Sequence, residues 1–304
     1  MFIIRNRKIF YVISAILVIG SIITLMVFGL NYGIDFKGGS IMEVSYPLGR
    51  PSVEDVNATL SSAGFAGFSV RPTGDNGFII RTLHLEESQR QALVGALEEG
   101  GKRPLEQKRF DSIGPTLGAE LQSKALISII LVILVIVLFI AFVFRKVSEP
   151  VSSWKYGAVA VVALVHDVII PTGAFALLGH FFGAEADALF VTALLVVLGF
   201  SVHDTIVVFD RVRENLRRNI EYRHKETFEE TVGRSVGQTF TRSINTSLSV
   251  LFSLVVLYFF GSESTRWFSL ALIIGIAAGT YSSIFIGSPL LVTVQKWQEK
   301  KALK

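Results

Sequence analysis

The residues in this sequence best placed to do chemistry are two His-Asp pairs set inside apolar runs, His166-Asp167 and His203-Asp204. The second pair lies in the stretch 199–215, which begins apolar and turns to charge from Asp210 onward. Asp204 precedes Asp210 by six residues, which is about 9 Å of helix at ~1.5 Å per residue. A charge at that depth in hydrocarbon costs about 2.5 kcal/mol or more, so it normally faces a protein interior or a watery path. Aspartate is too short to snorkel out. Further along, Gln238, Arg242, Asn245, Thr246, Ser249 and Ser253 recur at helical spacing and lay a polar stripe on one face. Arg242 and Asp204 fall at similar depth from the same end, and are expected to pair across two packed helices.

The chemistry open to such a set is ion relay. Desolvation favours the neutral form of a carboxyl group, and a nearby guanidinium favours the anion. A carboxylate passed between those environments takes a proton from one side and releases it on the other. Movement of Arg242 relative to Asp204 would then be the two-state element that couples ion passage to shape. His166, Asp167, His203, Thr205, Gln238, Asn245 and Thr246 are the supporting polar groups. Each has a plainer reading. Arg242 snorkels to headgroups from a helix end, His166 and Asp167 satisfy each other while fixing helix packing, and the charges from Asp210 to Glu214 solvate a helix extension.

Long apolar blocks must position these residues. Of 304 residues, 51% are hydrophobic and 18% charged, where a soluble chain carries roughly a quarter charged. The composition therefore points to an integral membrane protein. A net charge of +4 is too small to imply nucleic acid, and the absence of cysteine excludes disulfides and thiolate chemistry. Phosphate loops and metal-ligand spacing are missing, so no cofactor and no metal is expected.

Six blocks can each cross about 30 Å of hydrocarbon: 9–30, 124–144, 155–178, 187–209, 239–260 and 266–290. The first follows Arg5, Arg7 and Lys8, is longer than a signal-peptide core and lacks an A-x-A end, so it reads as an uncleaved anchor. Basic residues also gather at Arg145, Lys146 and Lys155, between Arg211 and Arg234, and in the tail 291–304 at Lys296, Lys300, Lys301 and Lys304. The loops 179–186 and 261–265 contain neither Lys nor Arg. Both termini are therefore expected in the cytoplasm. In the sixth span, Ala271, Gly275, Gly279, Ser283 and Gly287 recur every four residues, the pattern of a close helix-packing seam.

The outer segment 31–123 reads as a small α+β domain. Strands are expected at 41–46, 65–71, 78–82 and 105–110, with helices opening at Ser52 and spanning 86–98. Val53, Val56, Leu60 and Ala63 form the apolar stripe of the first helix, and Val94 and Leu97 are the buried positions of the second. The order β-α-β-β-α-β is the ferredoxin-like split motif. His84 stands alone there and reads as structural.

Several of these stretches resemble the SecD/SecF family of bacterial protein-export membrane proteins, within the RND superfamily. They are Gly33-Ile-Asp-Phe-Lys-Gly-Gly39, His166-Asp167, Ser201 to Asn215, Gln238-Thr-Phe-Thr-Arg242 and Gly279 to Ile286. The likeness runs nearly end to end. It implies a non-enzymatic subunit in the bacterial plasma (inner) membrane that uses the proton-motive force to help preproteins through SecYEG. The coupling ion would be H+ or Na+, and Asp204 and Arg242 would lie in the ion path. RND architecture has twelve spans in two halves, so the chain would be one half and SecD the other. Other expected partners are the SecYEG translocon, YajC, YidC, the preprotein and membrane lipid. The alternatives are an RND-type subunit exporting a small molecule, an intramembrane hydrolase, for which no nucleophile with a nearby base is present, and a purely structural assembly factor.

Overall fold

The computed structural model describes residues 2–143 and 153–302. Phe144 at the expected end of the second span, the basic residues Arg145 and Lys146, and Lys304 lie outside the described residues. Tyr32–Leu126 form one compact unit, and the described residues on either side form another.

In the smaller unit, a short helix α3 (Ile34–Lys37) leads into the order β1 (Gly39–Ser45), α4 (Val53–Ser62), β2 (Ser69–Thr73), β3 (Gly77–Thr82), α5 (Glu87–Leu97), β4 (Glu106–Ile113). In chain order the helices before it are α1 (Phe2–Arg5) and α2 (Arg7–Phe28). The sheet is antiparallel with strand order β2-β3-β1-β4, which is the ferredoxin-like arrangement. Alternation along β1 turns Met42 and Val44 to one face, where they meet Phe78 and Ile80 of β3, Val56 and Leu60 of α4, and Leu93 and Leu97 of α5. Ser52 caps α4 by accepting from the Asp55 amide at 3.0 Å.

Local departures have local causes. Gly64 and Gly67 adopt φ of +82° and +65°, so residues 65–68 turn instead of joining a ladder, and β2 begins only at Ser69. On α5 the fully buried partner of Leu97 is Leu93, and Val94 is half-buried. Ala63 ends α4 in solvent. Gly38 and Gly39 are required: at φ of +75° and +132°, a Cβ would lie 2.8 Å from Cα of Pro115 and 2.9 Å from the Thr82 carbonyl.

Among the described residues, six helices are long and apolar enough to cross a membrane. They are α2, α6 (Pro115–Val143), α7 (Ser153–Phe182), α8 (Ala188–Glu221), α9 (Phe228–Phe260) and a last rod made of α10 (Glu263–Ser282), a π-helical turn (Ser283–Gly287) and α11 (Ser288–Ala302). Pro289 explains the wide turn, because it lacks the N–H that Phe285 would otherwise receive. Ser288 compensates by donating its hydroxyl to the Ser283 carbonyl at 3.1 Å.

Two of these helices are longer than the apolar blocks 187–209 and 239–260. Hydropathy marks where hydrocarbon ends, and these helices continue beyond it. Ion pairs such as Arg218–Glu214 at 2.7 Å hold the extension of α8. The capping box of Thr227 and Glu230 sets the true start of α9. Within lipid, apolar burial does not drive helices together, so close backbone approach and polar pairing do. At Gly173 of α7 a Cβ would sit 2.3 Å from Cβ of Ser21 in α2, and at Gly275 of α10 it would sit 2.3 Å from Cγ2 of Val197 in α8.

Candidate functional site

The two His-Asp pairs occupy different environments. Asp167 of α7 is 0% exposed and accepts three hydrogen bonds. His166 Nδ1 donates at 2.8 Å, Ser282 of α10 donates at 2.7 Å, and Ser201 of α8 also donates to Oδ2. His166 carries the network onward through Nε2, 3.1 Å from the Ser14 hydroxyl of α2. Its ring stacks near Tyr281, whose hydroxyl donates to the Phe10 carbonyl at 3.0 Å. One carboxylate thus joins α2, α7, α8 and α10. Pro171 adds to this polarity, since it leaves the Asp167 carbonyl without its usual helical donor.

Asp204 lies three residues beyond Ser201, one turn along α8 on the same face. It is 3% exposed. The hydroxyls of Ser243 in α9 and Ser283 in the π-helical turn lie beside it. Neither Oδ2 of Asp204 nor Oγ of Ser243 has a hydrogen-bond partner among the described residues. A buried polar atom left unpaired costs about 1–3 kcal/mol, more when charged, and native structures keep few of them. Such an oxygen is where a proton or a hydrated cation can be accepted.

The polar stripe of α9 is arranged differently from the sequence expectation. Arg242 is exposed and its guanidinium has no partner among the described residues, so it does not pair with Asp204. The reason is rotational: one residue further, Ser243 is the α9 side chain turned inward toward Asp204, and a step of ~100° carries Arg242 off that seam. Asn245, Thr246, Ser249 and Ser253 share the exposed face, and His203 is exposed on α8. Thr205 is buried. Gln238 is a clamp between helices, its Oε1 accepting from Arg211 at 2.8 Å and Asn215 at 2.9 Å. Gly275 and Gly279 bring α10 against α8, with Gly279 facing Ser201 and Asp167, while Ser283 adds a hydroxyl beside Asp204.

Sequence reasoning missed Ser14, Ser201, Ser282 and Ser243, and took Ser283 for a packing residue. Hydroxyls are common in membrane helices, where they return hydrogen bonds to their own backbone. The one available signal was the spacing of Ser201 and Asp204 on a shared face.

Fold and site together define a polytopic α-helical membrane protein with a six-helix bundle of the RND-half type and one ferredoxin-like domain after the first span. The family profile described as "Protein export membrane protein SecD/SecF, C-terminal" matches residues 94–297, and the SecD/SecF GG motif matches residues 23–46. The chain belongs to the SecD/SecF family. It is 43% identical to the protein translocase subunit SecF of Thermobaculum terrenum, covering 99% of this chain and 95% of that protein. It is 38% identical to the SecF of Anaerolinea thermophila, covering 95% and 92%. The crystal structure of SecDF, a translocon-associated membrane protein from Thermus thermophilus, superposes with a TM-score of 0.80 at 28% identity. That match covers 96% of this chain, which spans 38% of the length of the SecDF chain.

Proposed function

We propose that this chain is the SecF-type subunit of an ion-driven protein-export complex, with Asp204 as the group that accepts the coupling ion. The observation that carries the reading is the unpaired Oδ2 of Asp204, buried within a membrane-spanning helix beside an unpaired Ser243 hydroxyl. The exposed stripe of α9 supplies the rest. An arginine with Asn245, Thr246 and Ser249 facing outward at membrane depth is costly against lipid and calls for a cover. The cover is a second six-helix half, SecD, and a carboxylate on it pairs with Arg242. Arg242 then stands at the joint between halves, one residue from the Ser243 that lines Asp204, so rotation of α9 links the two.

In this reading the complex sits in the bacterial plasma membrane with both termini cytoplasmic, as the basic residues at 5–8, 211–234 and 296–304 favour. It draws preproteins from SecYEG, with YajC and YidC as further associates, and H+ or Na+ as the driving ion. The test is gradient-dependent release of a preprotein from membranes carrying the chain with its SecD half, wild type against Asp204→Asn, with co-purification checked in the same preparation. An assembled complex that ignores the gradient is expected. Release that keeps its full gradient dependence would sink the assignment.

A further inference from the structure

Away from the carboxylates, the elbow between α1 and α2 meets the first turns of α9 around an apolar groove of about 570 Å³. That volume lies within the ~300–1,000 Å³ range of small-ligand sites. Phe2, Ile3, Phe10, Val236, Gly237 and Phe240 line it, and Phe285 closes one side against Phe10, their ring centroids 4.6 Å apart. Every lining side chain is apolar. A Cβ on Gly237 would meet nothing within 4 Å, so the groove is open at that point.

Its depth follows from its neighbour. Gln238, next to Gly237, bonds Arg211 and Asn215 in the charged extension of α8. The groove therefore lies where the bundle passes from hydrocarbon to charge. Two cations, Arg5 and Lys8, flank it in sequence; both are exposed and without an ion pair among the described residues. Arg7 between them is engaged by Glu229 at 3.0 Å. Of the acidic groups nearby, Glu229 also meets Lys296, while Glu230 turns back on the neutral Thr227 at the start of α9.

We propose that this groove binds one anionic phospholipid, an acyl chain filling the slot and the phosphate resting on Arg5 and Lys8. An apolar slot at the level of the headgroups, whose lining residues Ile4 and Phe10 bracket two exposed cations in sequence, is complementary to that molecule. On α9 the groove and the exposed polar stripe occupy different sides. At ~100° per residue, Gly233, Gly237 and Phe240 lie on the side of α9 nearly opposite the Gln238, Arg242 and Asn245 stripe.

The test is native mass spectrometry of the full chain, stripped of lipid in mild detergent and titrated with phosphatidylglycerol or with phosphatidylcholine of the same acyl chains. Wild type should retain phosphatidylglycerol about tenfold more tightly. Gly237→Leu, which fills the slot, should weaken both lipids about tenfold. Arg5→Gln with Lys8→Gln should erase the preference and leave phosphatidylcholine unchanged. Equal retention of the two lipids by wild type (annular lipid only) overturns the proposal. So does undiminished phosphatidylglycerol binding in a folded Gly237→Leu chain, or no lipid retained at all. Should Gly237→Leu fail to fold, the charge variant decides through the preference alone.

Discussion

Ser201 of α8 donates its hydroxyl to Oδ2 of Asp167 in α7, one helical turn before Asp204 on the same face of α8. A carboxylate with three donors and a carboxylate with an unpaired oxygen thus share one seam. They are built for different work. Asp167 holds helices together, and substituting it by alanine strands His166, Ser201 and Ser282 in the bundle. Asp167→Ala should destabilise the chain by about 3–5 kcal/mol, and Ser201→Ala by about 1–2 kcal/mol. Unfolding of the purified chain in detergent mixtures measures both.

Asp204→Asn should behave in the opposite way. Its Oδ2 is unpaired among the described residues, and the isosteric amide can still meet the Ser243 and Ser283 hydroxyls beside it, so stability should stay within about 1 kcal/mol of wild type. Gradient-dependent export should nevertheless fall to background. A chain that unfolds with this change would instead make Asp204 a structural group.

Arg242→Gln separates the chain alone from the assembled complex. In isolation Arg242 touches no partner, so its loss should move stability by less than about 0.5 kcal/mol. With the second half present, the same change should weaken co-purification or abolish the gradient response. Wild-type behaviour in both assays would show that the stripe of α9 faces nothing that matters.

Gly275 tests the packing of α10 on α8. Gly275→Ala places a methyl group 2.3 Å from Val197 Cγ2 and should cost about 1–3 kcal/mol. Val197→Ala should recover most of the loss, and a double-mutant cycle should return a coupling of about 0.5 kcal/mol or more.

The smaller domain carries a pH signature on its alkaline side. Burial pushes the Tyr46 phenol up to about 12. Because the folded value lies above that of the unfolded chain, ~10, this contribution is complete below pH ~10 and is lost as pH rises toward about 12. Tyr46→Phe should flatten that decline by removing the titrating phenol, at small cost in stability because the hydroxyl's bond to the Leu97 carbonyl is long at 3.5 Å. Absorbance of ionised tyrosine followed alongside unfolding would check it.

Hydropathy and charge were enough to place six spans and the strand-helix order of the domain, because both patterns follow directly from which side chains water accepts. That Asp204 faces the protein interior was legible for the same reason. The facing of Arg242 was not, since pairing depends on rotation about the helix axis, and a single position decides between Arg242 outward and Ser243 inward. Helix ends were also hidden at Glu221 and Phe228, where capping and ion pairs continue α8 and α9 into water. Two of the three donors to Asp167 come from serines at positions 201 and 282, and no local pattern announces a contact across that separation.

Glu229 grips Arg7 from the first span and Lys296 from the last, so one side chain clasps the two ends of the helical unit. The first and last spans are thereby tied at one point on α9, so the two ends of the helical unit share a single acidic anchor.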